Sequence, residues 1–130
     1  MGKLNVPGDL KYTRTDEWIK IENNEGIIGV TDYAQDSLSD VVYVELPQVG
    51  DTFKTGERFG TVESVKAASD LQIPIGGTVT AVNSALENTP ETVNKDPYGA
   101  GWFIKIKPDD LAGLDKLMDA AAYEKYCAER

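Results

Sequence analysis

The chain has 130 residues, of which 41% are hydrophobic and 27% are charged, and its formal net charge at pH 7 is −9. This length suits one domain with a buried core, while the acidic balance argues against nucleic acid, whose phosphates require Lys and Arg. The chain has no histidine and a single cysteine, Cys127, which excludes a Ser-His-Asp triad, an internal disulfide and a multi-thiolate zinc site.

Nothing in the sequence indicates a membrane protein or an exported one. No apolar run approaches the roughly 20 residues of a membrane helix. The N-terminus lacks the apolar core of a signal peptide. We therefore expect a cytoplasmic protein without a targeting segment.

The N-terminal part of the chain predicts a β-hairpin followed by a short helix. Two β-rich runs, residues 18–21 and 27–30, flank the turn-forming sequence Asn-Asn-Glu-Gly at residues 23–26. Thr31 then suits the N-cap of one or two helical turns that end near Leu38.

The next segment, residues 40–46, reads as a strand with alternating side chains. The alternation places Val42, Val44 and Leu46 on one face, and Pro47 ends the strand. We expect that face to pack in the core.

Further short strands follow, separated by turns that contain glycine or proline. After a β-rich segment at residues 52–54, they are predicted at residues 58–62, 71–75, 78–82 and 102–106. Strands this short and this regularly interrupted are typical of a sandwich or barrel.

The C-terminal part predicts a helix at about residues 109–128. Apolar residues recur there at helical spacing and should pack against the sheet: Leu111, Leu114, Leu117, Met118, Ala121 and Ala122. No linker interrupts the sequence, so we expect one domain over residues 1–130, with its β core at about residues 10–108.

A single lysine, Lys66, lies near the middle of the polar connection at residues 63–70, between two predicted strands. An exposed tip on a rigid support is what an enzyme needs to modify one particular lysine. Most loop lysines are simply solvated, so position alone leaves both interpretations open.

The residues around Lys66, Glu63-Ser64-Val65-Lys66-Ala67, resemble the lipoylation site of the glycine cleavage system H-protein family. The resemblance runs from about Leu10 to Ala128 and also includes residues 11–18, 40–47, 94–102 and 117–127. It implies a mainly β fold, a barrel-sandwich hybrid of two small antiparallel sheets with a short internal helix and a C-terminal helix.

The same resemblance implies the residues of the functional site. Lipoate would be attached covalently as an amide to Lys66, and the attaching enzyme would recognise the residues beside it, Glu63, Ser64, Val65 and Ala67. The loaded arm would fold into a cleft formed by Thr15, Glu17 and Asp70, where a carboxylate could bind the cationic aminomethyl nitrogen.

The resemblance further implies a carrier with no catalytic residues and no metal. The carrier would take an aminomethyl group from glycine decarboxylase, which uses pyridoxal phosphate, to an aminomethyltransferase that uses tetrahydrofolate. Dihydrolipoamide dehydrogenase, which contains FAD, would then reoxidise the arm. An alternative is an H-like lipoyl donor or relay protein that serves the lipoylation of other enzymes.

The sequence departs from the family at one position, and it leaves one other class of function to consider. The family usually has His-Glu-Trp where this chain has Asp16-Glu17-Trp18, which affects any role of the histidine and leaves the carrier function intact. A different class of function, a Schiff-base lysine at Lys66 assisted by Glu63 or Asp70, requires a buried pocket, and a polar hairpin tip does not suit it.

Overall fold

The strands of the protein form two antiparallel sheets. The computed structural model describes residues 4–130. Its strands are β1 Lys11–Tyr12, β2 Glu17–Glu22, β3 Glu25–Val30, β4 Val41–Glu45, β5 Thr52–Phe53, β6 Arg58–Ser64, β7 Ala68–Gln72, β8 Gly77–Val82 and β9 Ile104–Pro108. Its helices are α1 Asp32–Leu38, α2 Ala85–Asn88, α3 Thr92–Lys95 and α4 Ala120–Ala128, and a 3₁₀ helix spans Leu111–Lys116. None of the helices in residues 4–130 is long and apolar enough to cross a membrane.

The larger sheet has six strands in the order β1-β2-β3-β9-β8-β5, and the smaller has three in the order β4-β6-β7. Buried side chains from both sheets form one hydrophobic core, among them Ile28, Val44, Val62, Leu71 and Ile106. The predicted fold class, mainly β with two antiparallel sheets and a C-terminal helix, is confirmed.

The hairpin and helix predicted near the N-terminus are both present. Strands β2 and β3 pair through Glu22 and Glu25, and the two asparagines between them have positive φ angles of 53° and 65°, as a tight type I′ turn requires. The hydroxyl of Thr31 caps α1 by accepting a hydrogen bond from the Ala34 amide at 3.2 Å.

The prediction that Val42 shares a buried face with Val44 is wrong. Val41 and Val44 are the buried residues, with 3% and 1% of their surface exposed, whereas Val42 is 52% exposed. The pairing of β4 with β6 shifts between Val41 and Tyr43. This irregularity acts as a β-bulge, which interrupts the alternation of side chains along the strand. Val41 and Val44 therefore face the same side although they are three residues apart.

The prediction of one continuous helix at about residues 109–128 is also wrong. The 3₁₀ helix ends at Lys116, and α4 begins only at Ala120. Between them Met118 pairs with Tyr12 of β1 through two backbone hydrogen bonds, of 2.8 and 2.9 Å. The apolar spacing is compatible with a helix, but these bonds require extended backbone.

A second hydrophobic cluster attaches α4 to the large sheet. The Tyr123 ring of α4 stacks on Tyr12 with the ring centroids 4.6 Å apart, and both residues are fully buried. Trp18 packs beside them, and its indole N–H donates hydrogen bonds to the carbonyls of Val30 and Pro97, each at 3.0 Å. The cluster therefore fixes the start of α1, whose N-cap residue Thr31 directly follows Val30.

The bulge in β4 can be tested with two matched substitutions. Val44→Ala should lower the free energy of unfolding by about 2 kcal/mol, because it removes two buried methyl groups and leaves a cavity. Val42→Ala, in the same strand, should change it by no more than about 0.5 kcal/mol. Urea denaturation of both variants measures the difference, and equal losses would contradict the bulged register.

Candidate functional site

Lys66 lies at the tip of the β6–β7 hairpin, beyond its last pair of residues, Glu63 and Ala68. The turn is internally bonded: the Ser64 amide donates to the Ala67 carbonyl at 2.7 Å. The Ser64 hydroxyl oxygen accepts hydrogen bonds from the amides of Lys66 and Ala67, at 3.2 and 3.0 Å. The tip is therefore exposed and also has a fixed backbone shape.

Neighbouring segments hold the tip from one side. The Val65 amide donates to the Asp40 carbonyl at 3.1 Å. The Lys66 ammonium donates to the carbonyl of Ser37, near the end of α1, also at 3.1 Å. The first contact anchors the hairpin to the segment between α1 and β4, and the second anchors it to the last turn of α1.

A side chain from a distant segment fixes that connection in turn. Asn94, at the end of the α2–α3 region, donates to the Ser39 carbonyl at 2.7 Å and accepts from the Val41 amide at 2.9 Å. It therefore braces the backbone on both sides of Asp40, whose carbonyl receives the Val65 amide. This explains physically why the segment that begins at Asn94 matters to a site nearly thirty residues earlier in the chain.

A cleft of about 250 Å³ lies between α1, the β6–β7 hairpin and the turn before β2. Its lining includes the three residues predicted for an arm cleft, Thr15, Glu17 and Asp70, which the fold brings together from two distant segments. Apolar side chains also line it: Val30, Ala34, Leu38, Val62 and Leu71.

The cleft runs along one face of α1 from the neighbourhood of Lys66. Ser37, whose carbonyl accepts from Lys66, and Tyr33 both line it. Residues four apart on a helix lie one turn from each other on the same face. Tyr33 therefore lines the cleft about one helical turn away from the Ser37 carbonyl that Lys66 contacts.

Glu17 is the buried acid of the cleft, with 1% of its surface exposed. Its carboxylate accepts hydrogen bonds from the hydroxyls of Thr13, at 2.7 Å, and Thr15, and from the Gln72 amide at 3.1 Å. Desolvation raises the pKa of Glu17 to about 7, and the three hydrogen bonds only partly oppose that rise. Neutral and ionised forms are therefore both populated near neutral pH.

Asp70 is a different kind of acid, because its side chain is 66% exposed on the rim of the cleft. It accepts a hydrogen bond from Arg58 at 3.2 Å, and Arg58 also bonds Glu45 at 2.8 Å. Those hydrogen bonds raise the pKa of Arg58. Asp70 thus takes part in a surface ion pair, whereas no cation among residues 4–130 is bonded to Glu17.

The residues predicted for recognition by the attaching enzyme take two positions. The side chains of Glu63, Val65 and Ala67 are exposed beside Lys66, while Ser64 is half-buried and bonds the turn. Their role in recognition stays a prediction.

Further polar side chains line the cleft that the sequence did not predict as site residues, among them Asp16, Tyr33 and Arg130. Asp16 was noted only as a replacement for a histidine. Its partner Arg130 lies 114 positions away, and no local pattern links the two. Only the folded chain brings them together.

A two-sheet β fold that presents one lysine on a fixed hairpin tip, beside a cleft with apolar lining, defines a carrier protein of the lipoyl and biotinyl class. A sequence model of the family described as "Glycine cleavage H-protein" matches residues 10–130. The chain belongs to this family, and its role is that of a carrier component in glycine cleavage.

Individual relatives agree over nearly their whole lengths. The glycine cleavage system H protein of Symbiobacterium thermophilum is 54% identical over 125 residues, which cover 96% of this chain and 98% of the relative. That of Myxococcus xanthus is 56% identical over 119 residues, 92% of each chain. The crystal structure of the H protein from Mycobacterium marinum superposes with a TM-score of 0.85 at 38% identity, covering 95% of this chain and 98% of that one.

The raised pKa of Glu17 makes stability depend on pH. An unfolded Glu loses its proton near pH 4.5, whereas folded Glu17 keeps it until about pH 7. The unfolded state therefore binds fewer protons in this interval, and stability falls as pH rises through it. The contribution is on the order of 3 kcal/mol, since one pKa unit corresponds to about 1.4 kcal/mol.

Glu17→Gln should remove this contribution, because a glutamine has the same shape and does not titrate. Urea denaturation at pH 5 and pH 8 measures how far the free energy of unfolding falls between the two pH values. This fall should be smaller in the variant than in the wild type. All other titrating groups are common to both proteins. Parallel losses would contradict a raised pKa at Glu17.

Proposed function

We propose that Lys66 carries a lipoyl group in amide linkage and that the protein is a non-catalytic carrier of glycine cleavage. The observation that supports this most directly is the position of Lys66. It stands on a hairpin tip whose backbone is fixed by hydrogen bonds, and its ammonium reaches the Ser37 carbonyl at the edge of the cleft. An attached arm could reach outward to a partner or back along α1.

The residues of the cleft fit a lipoyl group. Its hydrocarbon chain suits the apolar side chains of Val30, Leu38 and Leu71, and its polar end suits Thr15 and Glu17. When bound, the lipoyl group supplies a dithiolane whose sulfurs take up and release the transferred group and undergo reduction and oxidation.

Glu17 and Asp70 would bind a cationic nitrogen at the end of the arm. Ionised Glu17 can accept a charge-assisted hydrogen bond from the nitrogen. A cation in the cleft favours the ionised form, so its arrival lowers the pKa of Glu17 and releases a proton. Asp70 adds an exposed carboxylate at the rim, and the closed cleft keeps water from the carried group.

The partners in this proposal are glycine decarboxylase with pyridoxal phosphate, aminomethyltransferase with tetrahydrofolate, and dihydrolipoamide dehydrogenase with FAD. The lipoate-attaching enzyme would recognise the exposed side chains around Lys66, namely Glu63, Val65 and Ala67, on the turn that Ser64 shapes. The net charge of −9 favours basic docking surfaces on these partners. The proposal includes a cytoplasmic location, which cell fractionation would test.

The attachment is tested by intact mass and peptide mapping before and after incubation with lipoate, ATP and a lipoate ligase. We expect one lipoyl-sized gain, confined to Lys66. Lys66→Arg should abolish the gain, whereas Lys54→Arg, a matched change in another exposed loop, should leave it unchanged. A gain on another lysine, or none in the wild type, would refute the assignment.

Two further measurements sharpen this result. Lys66→Arg should keep the wild-type unfolding temperature, because an exposed side chain with one hydrogen bond contributes little to stability. The lipoylated wild type is then assayed with purified glycine decarboxylase and with an acceptor enzyme that itself requires lipoylation. Transfer of an aminomethyl group onto the lipoyl arm by the decarboxylase supports the carrier role. Transfer of the lipoyl group to the acceptor enzyme, without aminomethyl loading, would replace the carrier role with the donor role.

A further inference from the structure

Arg130 lines the cleft beside Tyr33, about one helical turn of α1 from the Ser37 carbonyl that Lys66 contacts. Its guanidinium donates two parallel hydrogen bonds to the carboxylate of Asp16, at 2.5 and 3.0 Å. The Arg130 and Asp16 side chains are only 25% and 13% exposed. A planar guanidinium fits a carboxylate in this two-bond arrangement, which fixes orientation as well as distance.

Two tyrosine rings complete the surroundings of this guanidinium. Its central carbon lies 4.0 Å from the ring centroid of Tyr33 and 4.6 Å from that of Tyr126. Both distances are within the range of cation–π contact. Tyr33 belongs to α1 and Tyr126 to α4, so Arg130 joins the two helices.

Asp16 is an anchor whose position is set independently of Arg130. It has a left-handed backbone with φ of 73°, a conformation that a non-glycine residue keeps only when its surroundings fix it. Its carbonyl accepts from the Thr31 amide at 2.9 Å, and its carboxylate accepts from the buried Tyr123 hydroxyl at 2.8 Å.

These contacts bring three segments of the chain to one wall of the cleft. Asp16 comes from the turn before β2, Tyr33 from α1 and Arg130 from beyond α4, and all three line the cleft. The charge of Arg130 is compensated by Asp16, so the wall is nearly neutral toward a cationic ligand. Glu17 and Asp70 remain the carboxylates free of Arg130 at this cleft.

We propose that Arg130, held by Asp16, is a positioning residue that closes the cleft to water at its Tyr33 side. The closure acts in the unmodified chain, and its role in sheltering a carried group rests on the proposed function. The Asp16–Arg130 pair, with its contacts to Tyr33 and Tyr126, will be called the clasp. Opening the clasp should admit water to the cleft lining while the hairpin tip at Lys66 stays as it is.

The first test uses the unmodified protein. Relaxation of the Ala34 and Leu38 methyl groups by a neutral gadolinium chelate reports solvent access to the cleft. Asp16→Asn and Arg130→Gln should each raise the relaxation rate of these methyl groups at least twofold. The double variant should not exceed the larger single effect, because both substitutions remove the same pair. Arg130→Lys keeps the charge without the planar two-bond fit, so it should give an intermediate value.

Controls separate closure from a general loss of stability. Glu22→Gln breaks the Lys20–Glu22 ion pair, 3.5 Å long and on another part of the surface, and should leave the methyl relaxation unchanged. The exposed Val49 methyl groups should not change in any variant. Lower unfolding temperatures without greater relaxation at Ala34 and Leu38 would overturn the proposal and leave Arg130 as a structural tie alone.

The second test uses lipoylated protein loaded with its group and kept without partner enzymes. Loss of the carried group to water should be several-fold faster in Asp16→Asn and Arg130→Gln than in wild type or Glu22→Gln. Unchanged rates would overturn the sheltering role. If the wild type takes no lipoate, the proposed function fails, and the relaxation data on the unmodified chain still decide whether the clasp closes the cleft.

Discussion

The large sheet depends on one long-range pairing, the insertion of the last strand, β9, between β3 and β8. Ile104 pairs with Ile28 on one side and with Val82 on the other. Ile104 and Ile106 are fully buried, so the same strand supplies both the backbone ladder and part of the core. Without β9 the N-terminal hairpin would have no sheet partner on its inner edge. The turn that carries Asp16, and with it Glu17 at the start of β2, would then lose its support.

The exposed tip gains its rigidity from this buried framework through a short series of contacts. Val62 and Leu71 place the base of the β6–β7 hairpin in the core, and Ser64 fixes its end. Asn94 holds the α1–β4 connection, which in turn holds Val65. The side chain of Lys66 is therefore exposed to solvent on a backbone that stays in place, which is what a tethered arm requires.

The sequence predicted those features whose cause is local. The β2–β3 hairpin follows from two asparagines between β-rich runs, and the place of Lys66 at a hairpin tip follows from a polar connection between two β-rich runs. The bulge at Val42 could not be predicted, because it depends on the pairing of β4 with β6. The break before α4 could not be predicted either, because it depends on the pairing of Met118 with Tyr12 of β1. In both cases tertiary hydrogen bonding overrides a correct side-chain pattern.

The same distinction applies within the cleft. Thr15, Glu17 and Asp70 were identified through resemblance to a family, and the fold places all three around one space. The pair of Asp16 and Arg130 had no such signal, because a contact across 114 positions is visible only after β1, α1 and α4 have assembled.

The buried carboxyl of Glu17 lowers the stability of the folded protein when it is ionised, because burial removes water from its charge. Its surroundings accept either charge state, because the hydroxyls of Thr13 and Thr15 can donate to a carboxylate or rotate to accept from a carboxylic acid. A glutamine would meet the same geometry without the desolvation penalty that raises the pKa of Glu17 to about 7. Packing therefore does not explain the glutamate. The property that glutamine lacks is the ability to become negative when a cation enters the cleft, which is the role the proposed function gives it.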